Sequence, residues 1–450
     1  MTAASRKPSE GQPVGVSVIM ANHNGAVHLP AAIQSVLGQT LRDMELVIYD
    51  DASSDGSVAV AQGYAATDPR VKVIAGASNR GPGAARNAAI AAARGDWIAI
   101  VDSDDLLHPQ RLERLLLLAE ARDADIVADD LLYFSQADRT AGHTLIGSAR
   151  RAVPDTITPE LFVLSNSLGS QLPALGYLKP LFRRKAIAGI AYDETAWIGE
   201  DYDFLLRCLL AGAKLVLHRT PLYFYRRHST SLSHRLSETH VTAMIGAHDR
   251  LVKDHRRMQP EIRALLDARR ASLCRALSFE KLVSHIKRRA LVGAGLQLVT
   301  DPWLLSPLFQ SAREHMSRSR GHGATGGPSR TTLLLHGPDI EPQRATALMH
   351  AAGIGADARP FVVPAYRERT DTAPPGAEDI AQLADLARLG LQNQTSVIAI
   401  GKAGQFALPF VIEFEHAVIV SDDAELPEEA ALAGNVSPAP PLLADAGGAL

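Results

Sequence analysis

Cysteine is scarce in this chain, since only Cys208 and Cys274 occur among 450 residues. Two cysteines cannot build a disulfide scaffold, and such scarcity is typical of proteins kept in a reducing compartment. Long apolar runs are also missing, because no segment approaches the roughly 20 residues that a transmembrane helix needs. Residues 1–15 are polar and lack the apolar centre of a signal peptide. We therefore expect a cytoplasmic protein that is soluble or attached to a membrane only at its surface.

A strong charge of one sign is missing as well. The net charge is -3, with 46% hydrophobic and 21% charged residues, which is an ordinary globular composition. A general attraction to nucleic acid is not implied, so we expect no nucleic-acid partner. The fingerprint G-x-G-x-x-G is absent after the first predicted strand, which removes the main support for a nicotinamide-dependent oxidoreductase.

Apolar runs and helix-like segments alternate in the first quarter of the chain. Buried strands are predicted for four short apolar runs, at 14–20, 45–49, 71–75 and 97–101. The helices between them are predicted at 29–37, 57–65 and 84–93. Strands that alternate with helices form βαβ units, in which a mostly parallel sheet is flanked by helices. The predicted fold class is therefore α/β.

Three carboxylates, Asp102, Asp104 and Asp105, follow the fourth predicted strand directly. Unpaired carboxylates are too costly in a core, so they must lie where the chain leaves the sheet. Ligands of open α/β sheets bind at that edge, and clustered carboxylate oxygens suit Mg²⁺ or Mn²⁺. Taken alone, the pattern equally fits an acidic turn in which Asp105 caps the following helix.

Two further polar loops follow predicted strands and should reach the same edge. Asn22 and His23 follow the first strand, and Asp50 and Asp51 follow the second. In combination, four segments resemble the glycosyltransferases of family 2, which have the GT-A fold. They are VSVIM with Asn-Gly at 16–25, DDASSDGS at 50–57, GAARN at 83–87 and DSDD at 102–105. Among relatives, the chain is most similar to ExoO-type enzymes of bacterial exopolysaccharide (succinoglycan) biosynthesis.

The resemblance implies roles for individual residues on the donor side. Asp51 would bind the nucleobase, expected to be uracil, and Arg86 would lie near the phosphates or the base. Asp102 would contact the ribose or the metal, and Asp104 would be the direct metal ligand.

The first loop departs from the pattern of many relatives. They have a Tyr before the Asn and often a Pro two residues earlier, whereas this chain has His23 and Ala21. An imidazole can still stack on a base, so both positions stay among the nucleotide-binding candidates.

A second acidic centre opens a helix that is predicted from 200 to 210. Acids in the first helical turn are favoured by the helix dipole, which explains them without any chemistry. In the family, the matching Glu-Asp pair supplies the catalytic base. That role carries over to Asp201, with Glu200 in a supporting role on the acceptor side. Because successive helical residues are about 100° apart, we expect that the two carboxylates do not both face the reacting atom.

Further candidates lie on other loops. Asp129 and Asp130 end a predicted strand and are candidates for the acceptor side, with a solvated strand end as the alternative. Lys179 and Arg183 are candidates for phosphate or acceptor contacts, because the resembling enzymes line the acceptor cleft there. His228 matches a Tyr-Arg-x-His segment near the diphosphate of relatives and is a candidate metal or phosphate ligand.

The remaining chain suggests additional units. In 236–320, Lys and Arg outnumber Asp and Glu, and Trp303 and Phe309 add apolar bulk. Such a helical mix fits an anionic membrane surface at the inner face of the membrane, or a solvated basic face, and both stay open. The predicted division is a disordered 1–13, a GT-A domain 14–235, a basic helical region 236–320, a small α/β domain 331–426 and a flexible tail 427–450.

Together these residues predict an inverting glycosyltransferase that uses Mn²⁺ or Mg²⁺. It would move a hexose from a nucleotide sugar, expected to be UDP-linked, to a lipid-linked oligosaccharide in exopolysaccharide or cell-surface polysaccharide synthesis. The alternative is a non-catalytic module that binds a sugar nucleotide.

Overall fold

A computed structural model describes most of the first 304 residues and four later strands. The described ranges are 14–135, 144–147, 149, 152–227, 237–255, 258–304, 331–336, 358–362, 395–400 and 414–420.

The first sheet has nine strands, of which β1 to β4 run parallel in the order β3-β2-β1-β4. The order continues β8-β6-β9-β5, and β7 pairs with β9. Strand β8 is antiparallel to both β4 and β6, so the sheet is mixed at its centre. The strands are β1 (Val16–Asn22), β2 (Met44–Asp50), β3 (Val71–Ala75), β4 (Trp97–Asp102), β5 (Leu106–Leu107), β6 (Ile126–Ser135), β7 (Thr156–Ile157), β8 (Leu181–Arg183) and β9 (Leu215–Arg227).

Helices flank this sheet, and each of the first three follows a parallel strand. In α1, residues Leu29, Ala32, Ile33 and Val36 are buried and share one face, which packs on the sheet. The helices are α1 (Leu29–Leu37), α2 (Ser57–Thr67), α3 (Pro82–Ala92), α4 (Arg111–Ala121), α5 (Pro159–Ser165), α6 (Glu200–Leu210), α7 (Glu238–Asp254), α8 (Pro260–Lys287) and α9 (Leu291–Thr300). The α/β fold class, with a central sheet flanked by helices, is confirmed. The expected mostly parallel sheet is corrected to a mixed one, because β5, β7 and β8 pair antiparallel with their neighbours.

Helices α7 and α8 pack on the same core as the large sheet. Leu251, Ile262 and Leu266 are buried in one apolar cluster with the strands. Farther along, Leu282 of α8, Ala294 of α9 and Leu304 form a small separate cluster. In the described part of the chain, no helix combines the length and apolar character that crossing a bilayer would require.

A second sheet follows in the chain, with the order β11-β10-β12-β13 and all neighbours parallel. Its strands are β10 (Thr331–His336), β11 (Ala358–Val362), β12 (Thr395–Ile400) and β13 (Phe414–Val420). The predicted segments 1–13 and 427–450 lie outside the described residues, and the domain boundaries stay a prediction.

Candidate active site

The carboxyl ends of β1, β2 and β4 meet at one edge of the sheet. Asn22 is paired in register with Asp50, and Ala21 with Asp102. The Asn22 amide nitrogen donates to Asp50 Oδ2 at 2.8 Å, which ties the first two loops together. The residues predicted to share this edge from their positions after strands are therefore brought together.

Asp51 holds the loop that precedes α3. Its carboxylate accepts hydrogen bonds from the backbone N–H of Arg80, at 3.0 Å, and of Gly81, at 2.7 Å. Gly81 adopts φ +87°, a conformation in which a side chain is strained. The half-exposed ring of Trp197 lies over Gly81, 3.2 Å from where a Cβ would stand. Trp197 thus places an exposed aromatic surface beside the Asp51 loop.

His23 joins three loops at this edge. Its Nδ1 lies 2.8 Å from the carbonyl oxygen of Asp51, and its Nε2 lies 3.0 Å from the amide nitrogen of Asn79. Because a carbonyl oxygen only accepts, Nδ1 carries the proton and Nε2 accepts from Asn79. These two contacts therefore fix the orientation of the exposed imidazole.

Asp105 is a buried anchor of the acidic loop. Tyr223 Oη donates to its Oδ2 at 2.7 Å, and the backbone N–H of Arg226 donates to its Oδ1 at 2.7 Å. Burial and the neighbouring charges of Asp104 and Asp102 raise the pKa of Asp105 well above its usual range. It does not cap the next helix, because α4 begins at Arg111 and Gln110 is its N-cap residue.

The acidic loop fits a divalent cation. Asp102, Asp104 and Asp105 offer carboxylate oxygens that lie within 4.8 Å of one another. Both oxygens of Asp105 accept hydrogen bonds, and both oxygens of Asp102 contact cations of the protein. The family resemblance implies Asp104, with Asp102 beside it, as the residues that would hold the ion. Mg²⁺ and similar ions commonly use one or two carboxylates together with substrate phosphates, so this donor set suits them.

Five charged side chains meet behind the acidic loop, and we call them the charge cluster: Arg86, Asp102, Lys179, Glu200 and Asp201. Lys179 Nζ lies 2.7 Å from Asp102 Oδ2 and 2.8 Å from Asp201 Oδ2. Arg86 donates from Nη2 to Asp102 Oδ1 at 2.9 Å and from Nη1 to Glu200 Oε1 at 2.7 Å. Both cations are only 5% exposed. Residues from β4, α3, α6 and the segment before β8 thus form a single ionic network.

In the charge cluster, burial and the neighbouring charges shift the pKa values of Asp102 and Lys179 in opposite directions. Burial alone would raise the pKa of Asp102, but Lys179 and Arg86 hold it below its usual range. Burial would likewise lower the pKa of Lys179, yet Asp102 and Asp201 raise it well above its usual range. For Glu200, burial and the Asp201 charge raise the pKa despite the opposing effect of Arg86. Asp102 and Lys179 are therefore both charged near neutral pH.

Asp201 keeps one oxygen without a hydrogen bond. Its Oδ1 lies 3.1 Å from Arg86 Nη1, but the pair lacks hydrogen-bond geometry and Oδ1 is buried. Glu200 contacts the same Nη1, and the expectation that the two carboxylates do not face the same reacting atom stays a prediction. The long guanidinium reaches both, because it projects across the first turn of α6.

Asp129 does not face the acceptor side. It is fully buried, with its carboxylate on Arg111 Nη2 at 2.7 Å and on the backbone N–H of Leu222 at 3.0 Å. Arg111 Nη2 also donates to the carbonyl oxygen of Lys179 at 2.5 Å. The pair therefore helps to place Lys179, and Asp129 as an acceptor contact is corrected to a buried structural role.

Asp130 is corrected in the same way. Its Oδ1 accepts from the backbone N–H groups of Leu131, at 2.8 Å, and Ile146, at 2.9 Å, and burial raises its pKa. Only 5% of this residue is exposed. It fixes the short segment at 144–147 against β6.

Arg183 lies at the opposite end of the sheet from the acidic loop. Because β8 is antiparallel to β4, Arg183 pairs with Trp97, at the start of β4, while Lys179 is carried toward Asp102. The guanidinium stacks on the Trp97 ring at 4.6 Å. Arg183 is therefore not a donor or acceptor contact, whereas Lys179 belongs to the charge cluster.

Tyr223 and Arg111 contribute to the site but were not predicted from the sequence. Tyr223 Oη accepts from the backbone N–H of Asp102 at 3.1 Å and binds Asp105, so it joins β9 to the acidic loop. Arg111 acts through Lys179, and its only sequence signal was a cation at the start of an apolar helix. His228 lies outside the described residues.

Comparison with known proteins identifies the family. The sequence model of "Glycosyl transferase family 2" matches residues 17–176, a range that contains Asp51, Arg86, Asp102 and Asp104 but ends before Asp201. The succinoglycan biosynthesis protein ExoO of Rhizobium meliloti (strain 1021) is 35% identical over 305 residues, covering 67% of this chain and 86% of ExoO. The chain belongs to glycosyltransferase family 2. The expected resemblance, including that to ExoO-type enzymes, is thereby confirmed.

Other similar proteins carry related descriptions. ExoU, a second succinoglycan biosynthesis protein of Rhizobium meliloti (strain 1021), is 35% identical over 247 residues, covering 52% of this family 2 glycosyltransferase and 67% of ExoU. Staphylococcus aureus TarS 1–349, solved with UDP-GlcNAc, is 17% identical with a TM-score of 0.43, covering 65% of this chain and 92% of that one. Mannosyltransferase PcManGT from Pyrobaculum calidifontis, solved with GDP-Man and Mn²⁺, is 16% identical with a TM-score of 0.45. The match covers 68% of this chain and 81% of PcManGT.

Proposed function

We propose that this glycosyltransferase inverts the anomeric carbon and moves a hexose from a UDP-linked sugar to a lipid-linked oligosaccharide during exopolysaccharide or other cell-surface polysaccharide synthesis. The observation that carries the proposal is the position of Lys179 Nζ, 2.7 Å from Asp102 and 2.8 Å from Asp201. One ammonium group therefore joins the carboxylate at the donor edge to the candidate base. The succinoglycan role in the names of ExoO and ExoU supports the class of product.

The donor would lie along the edge formed by β1, β2 and β4. Its nucleoside would contact Ala21, His23 and Asp51, and its ribose would reach Asp102. The UDP-linked donor follows from the resemblance of the Asp51 loop to the family's nucleotide loop. Arg86 and Lys179 supply buried positive charge close to where the diphosphate would lie, and charge-assisted hydrogen bonds to phosphate are strong.

Transfer would proceed by a single displacement. The acceptor oxygen forms a bond to the anomeric carbon while the bond from that carbon to the diphosphate breaks and its electron pair leaves with the diphosphate. Asp201 takes the proton from the acceptor hydroxyl, as a positioned general base. Attack from the face opposite the leaving group inverts the anomeric carbon.

Mn²⁺ or Mg²⁺ would be held by Asp104 with Asp102 beside it. When bound, such an ion offsets the negative charge of the leaving diphosphate. The protein's own contribution at this point is Tyr223, which fixes the backbone of Asp102 and the side chain of Asp105.

A donor screen tests the proposal. Calorimetry with a panel of UDP-, GDP- and dTDP-hexoses, in Mn²⁺ and in EDTA, is combined with an assay for nucleoside diphosphate release in the presence of lipid-linked saccharides. We expect UDP-sugar binding that needs Mn²⁺ and acceptor-dependent release of UDP. Asp104→Asn should remove the benefit of Mn²⁺, whereas Asp96→Asn, at the other end of β4, should retain it.

Two outcomes would contradict the proposal. Equal donor affinity in EDTA and in Mn²⁺ would overturn the metal assignment. Tight donor binding without any transfer or hydrolysis across the panel would identify a non-catalytic sugar-nucleotide-binding module instead.

A further inference from the structure

Helix α9 presents an apolar face to solvent. Val292 is 88% exposed, Leu296 is 66% exposed and Val299 is 76% exposed. Their spacing of four and three residues places the three side chains on one side of the helix. Trp303, 40% exposed, follows directly after the helix. Large apolar side chains that cluster in this way mark interaction surfaces.

The opposite face of α9 fixes the orientation of this helix. Ala294 and Leu304 are buried in a cluster with Leu282 of α8, and Leu298 packs against it. Gln297 adds a hydrogen bond from its amide nitrogen to the carbonyl oxygen of Ser278 at 2.7 Å. The exposed face is therefore held outward by contacts on the other side, and α9 itself contains no charged residue.

Positive charge lies immediately before this apolar face. Lys287 is the last residue of α8, Arg288 and Arg289 follow it, and all three are exposed. In the part of the chain that the structure describes, none of them forms an ion pair with a carboxylate. An apolar face next to exposed cations matches the interface of an anionic membrane, where apolar side chains insert and cations meet lipid headgroups. Tryptophan is also enriched at that depth.

We propose that the apolar face of α9, defined by Val292, Leu296 and Val299, binds the surface of an anionic lipid membrane together with Trp303 after the helix and the cations Lys287, Arg288 and Arg289 before it. This surface is separate from the candidate active site and does not depend on the proposed reaction. The composition of residues 236–320 fits either a membrane-binding surface or a solvated basic face. The proposal places the membrane-binding surface at α9.

Vesicle co-sedimentation of the full chain tests the proposal. Vesicles of phosphatidylcholine alone are compared with vesicles that also contain phosphatidylglycerol, at low and high salt. We expect binding to the anionic vesicles alone, and weaker binding at high salt because salt screens surface charge. The double variant Leu296→Glu/Val299→Glu should bind at least tenfold more weakly, and so should Lys287→Glu/Arg288→Glu.

The matched control is Leu117→Glu, since Leu117 is an exposed apolar residue on α4 with 54% exposure. It should bind anionic vesicles like the unchanged chain. Thermal unfolding and UDP-sugar binding of all variants should equal those of the unchanged chain, which separates this surface from the active site.

Three results would overturn the assignment. In the first, the unchanged chain stays in the supernatant with both kinds of vesicle. In the second, the α9 double variant binds anionic vesicles as well as the unchanged chain does. In the third, light scattering shows that the double variant dissociates an oligomer while its vesicle binding is retained, and the occupant of the face is then a second copy of this chain.

Discussion

At the scale of single residues, Asp201 is distinguished by the unequal use of its two oxygens. Oδ2 accepts a hydrogen bond from Lys179 at 2.8 Å, while the buried Oδ1 has only the ionic neighbour Arg86 at 3.1 Å. Lys179 and Arg86 together thus hold the carboxylate in place. Glu200 differs, because its Oε1 accepts directly from Arg86 at 2.7 Å. The Asp201 side chain is 18% exposed and that of Glu200 is 11% exposed, which supports the proposal that Asp201 is the base.

The variant Asp201→Asn tests that assignment. It retains the shape of the side chain but cannot take a proton, so we expect turnover to fall roughly 10²–10⁴-fold, the usual effect of a positioned base. UDP-sugar affinity should stay the same or increase, because the change leaves more of the positive charge of Lys179 and Arg86 for the diphosphate. Turnover is measured by UDP release and affinity by calorimetry.

Glu200→Gln is the matched control for this variant and should cost less turnover than Asp201→Asn. Near-normal transfer by Asp201→Asn would assign the base to another group. Since Asp129 and Asp130 are buried with their oxygens engaged, Glu200 would then be the next candidate.

At the scale of an element, the loop before α3 depends on the backbone of one glycine. Gly81 combines φ +87° with the 2.7 Å hydrogen bond to Asp51 and the overlying Trp197 ring. Gly169 has nearly the same φ, +86°, but has nothing within 4 Å of where a Cβ would stand. An alanine at either glycine would be strained to a similar degree, but only an alanine at Gly81 would also disturb contacts of the site. Comparing the two variants therefore separates the two effects.

We expect Gly81→Ala and Gly169→Ala each to lose about 1–3 kcal/mol of unfolding free energy, because alanine is strained at such a φ. Only Gly81→Ala should also weaken UDP-sugar binding, since the loop must shift away from Trp197 and carry Asp51 with it. Denaturant unfolding and calorimetry measure the two effects. Equal donor affinity in both variants would show that the Asp51 loop does not contact the donor.

Helices α7 and α8 meet α6 through a buried polar contact. Arg269 Nη1 lies 3.2 Å from His248 Nδ1, and the guanidinium stacks on the Tyr202 ring at 3.9 Å. Because arginine only donates, His248 accepts through Nδ1 and is neutral. Burial and then the Arg269 charge lower the pKa of His248 to about 4.

This contact predicts a loss of stability in acid. In the unfolded chain the histidine pKa is about 6.5, so between pH 6.5 and pH 4 the unfolded state binds more protons than the folded state. The stabilisation is complete above pH 6.5 and decreases as pH falls toward 4, by at most about 3 kcal/mol at about 1.4 kcal/mol per pKa unit. Thermal unfolding of the unchanged chain and of His248→Asn, which can still accept from Arg269, measures it across this range. Parallel pH curves for the two would exclude His248 as the cause.

At the scale of the whole molecule, local sequence patterns correctly predicted which polar residues lie at the carboxyl ends of β1, β2 and β4. Each parallel strand is a short apolar run, so the polar residues that follow it had to lie at the edge of the sheet. Asp51 and Asp102 were placed correctly for that reason, without knowledge of any long-range contact. The helix that carries Asp201 was predicted from its apolar spacing, with the same bounds.

The other half of the site depends on contacts between distant residues. The antiparallel direction of β8 decides that Lys179 reaches Asp102 while Arg183 lies at the far end, and no pattern within 179–183 shows that direction. Asp129 is neutralised by Arg111, 18 residues away, and a strand pattern cannot show which cation will face it. The sequence thus showed which charged residues lie near strand ends. It could not show their ion-pair partners, because the topology of the sheet determines which residues meet.

Contacts between distant residues also argue against the domain boundary that was predicted after residue 235. Leu251, Ile262 and Leu266 belong to the core of the large sheet, and Arg269 stacks on Tyr202 of α6. Full burial of one such aliphatic side chain contributes about 1.5–3 kcal/mol, so the three together contribute about 5–9 kcal/mol. That is a large share of the roughly 5–15 kcal/mol by which a domain is stable. We therefore expect helices α7 and α8 to be part of the folded unit that contains the site.

Truncation tests this conclusion. We expect a chain of residues 14–304 to unfold in one cooperative thermal transition and to bind UDP-sugar in Mn²⁺ as the full chain does. A chain of residues 14–235 should show no cooperative transition, because the core under α7 and α8 is opened to water. Calorimetry on both chains gives the comparison. A cooperative transition at the same temperature for 14–235, with donor binding retained, would make the two helices an appendage on an independent domain and would restore the boundary at 235.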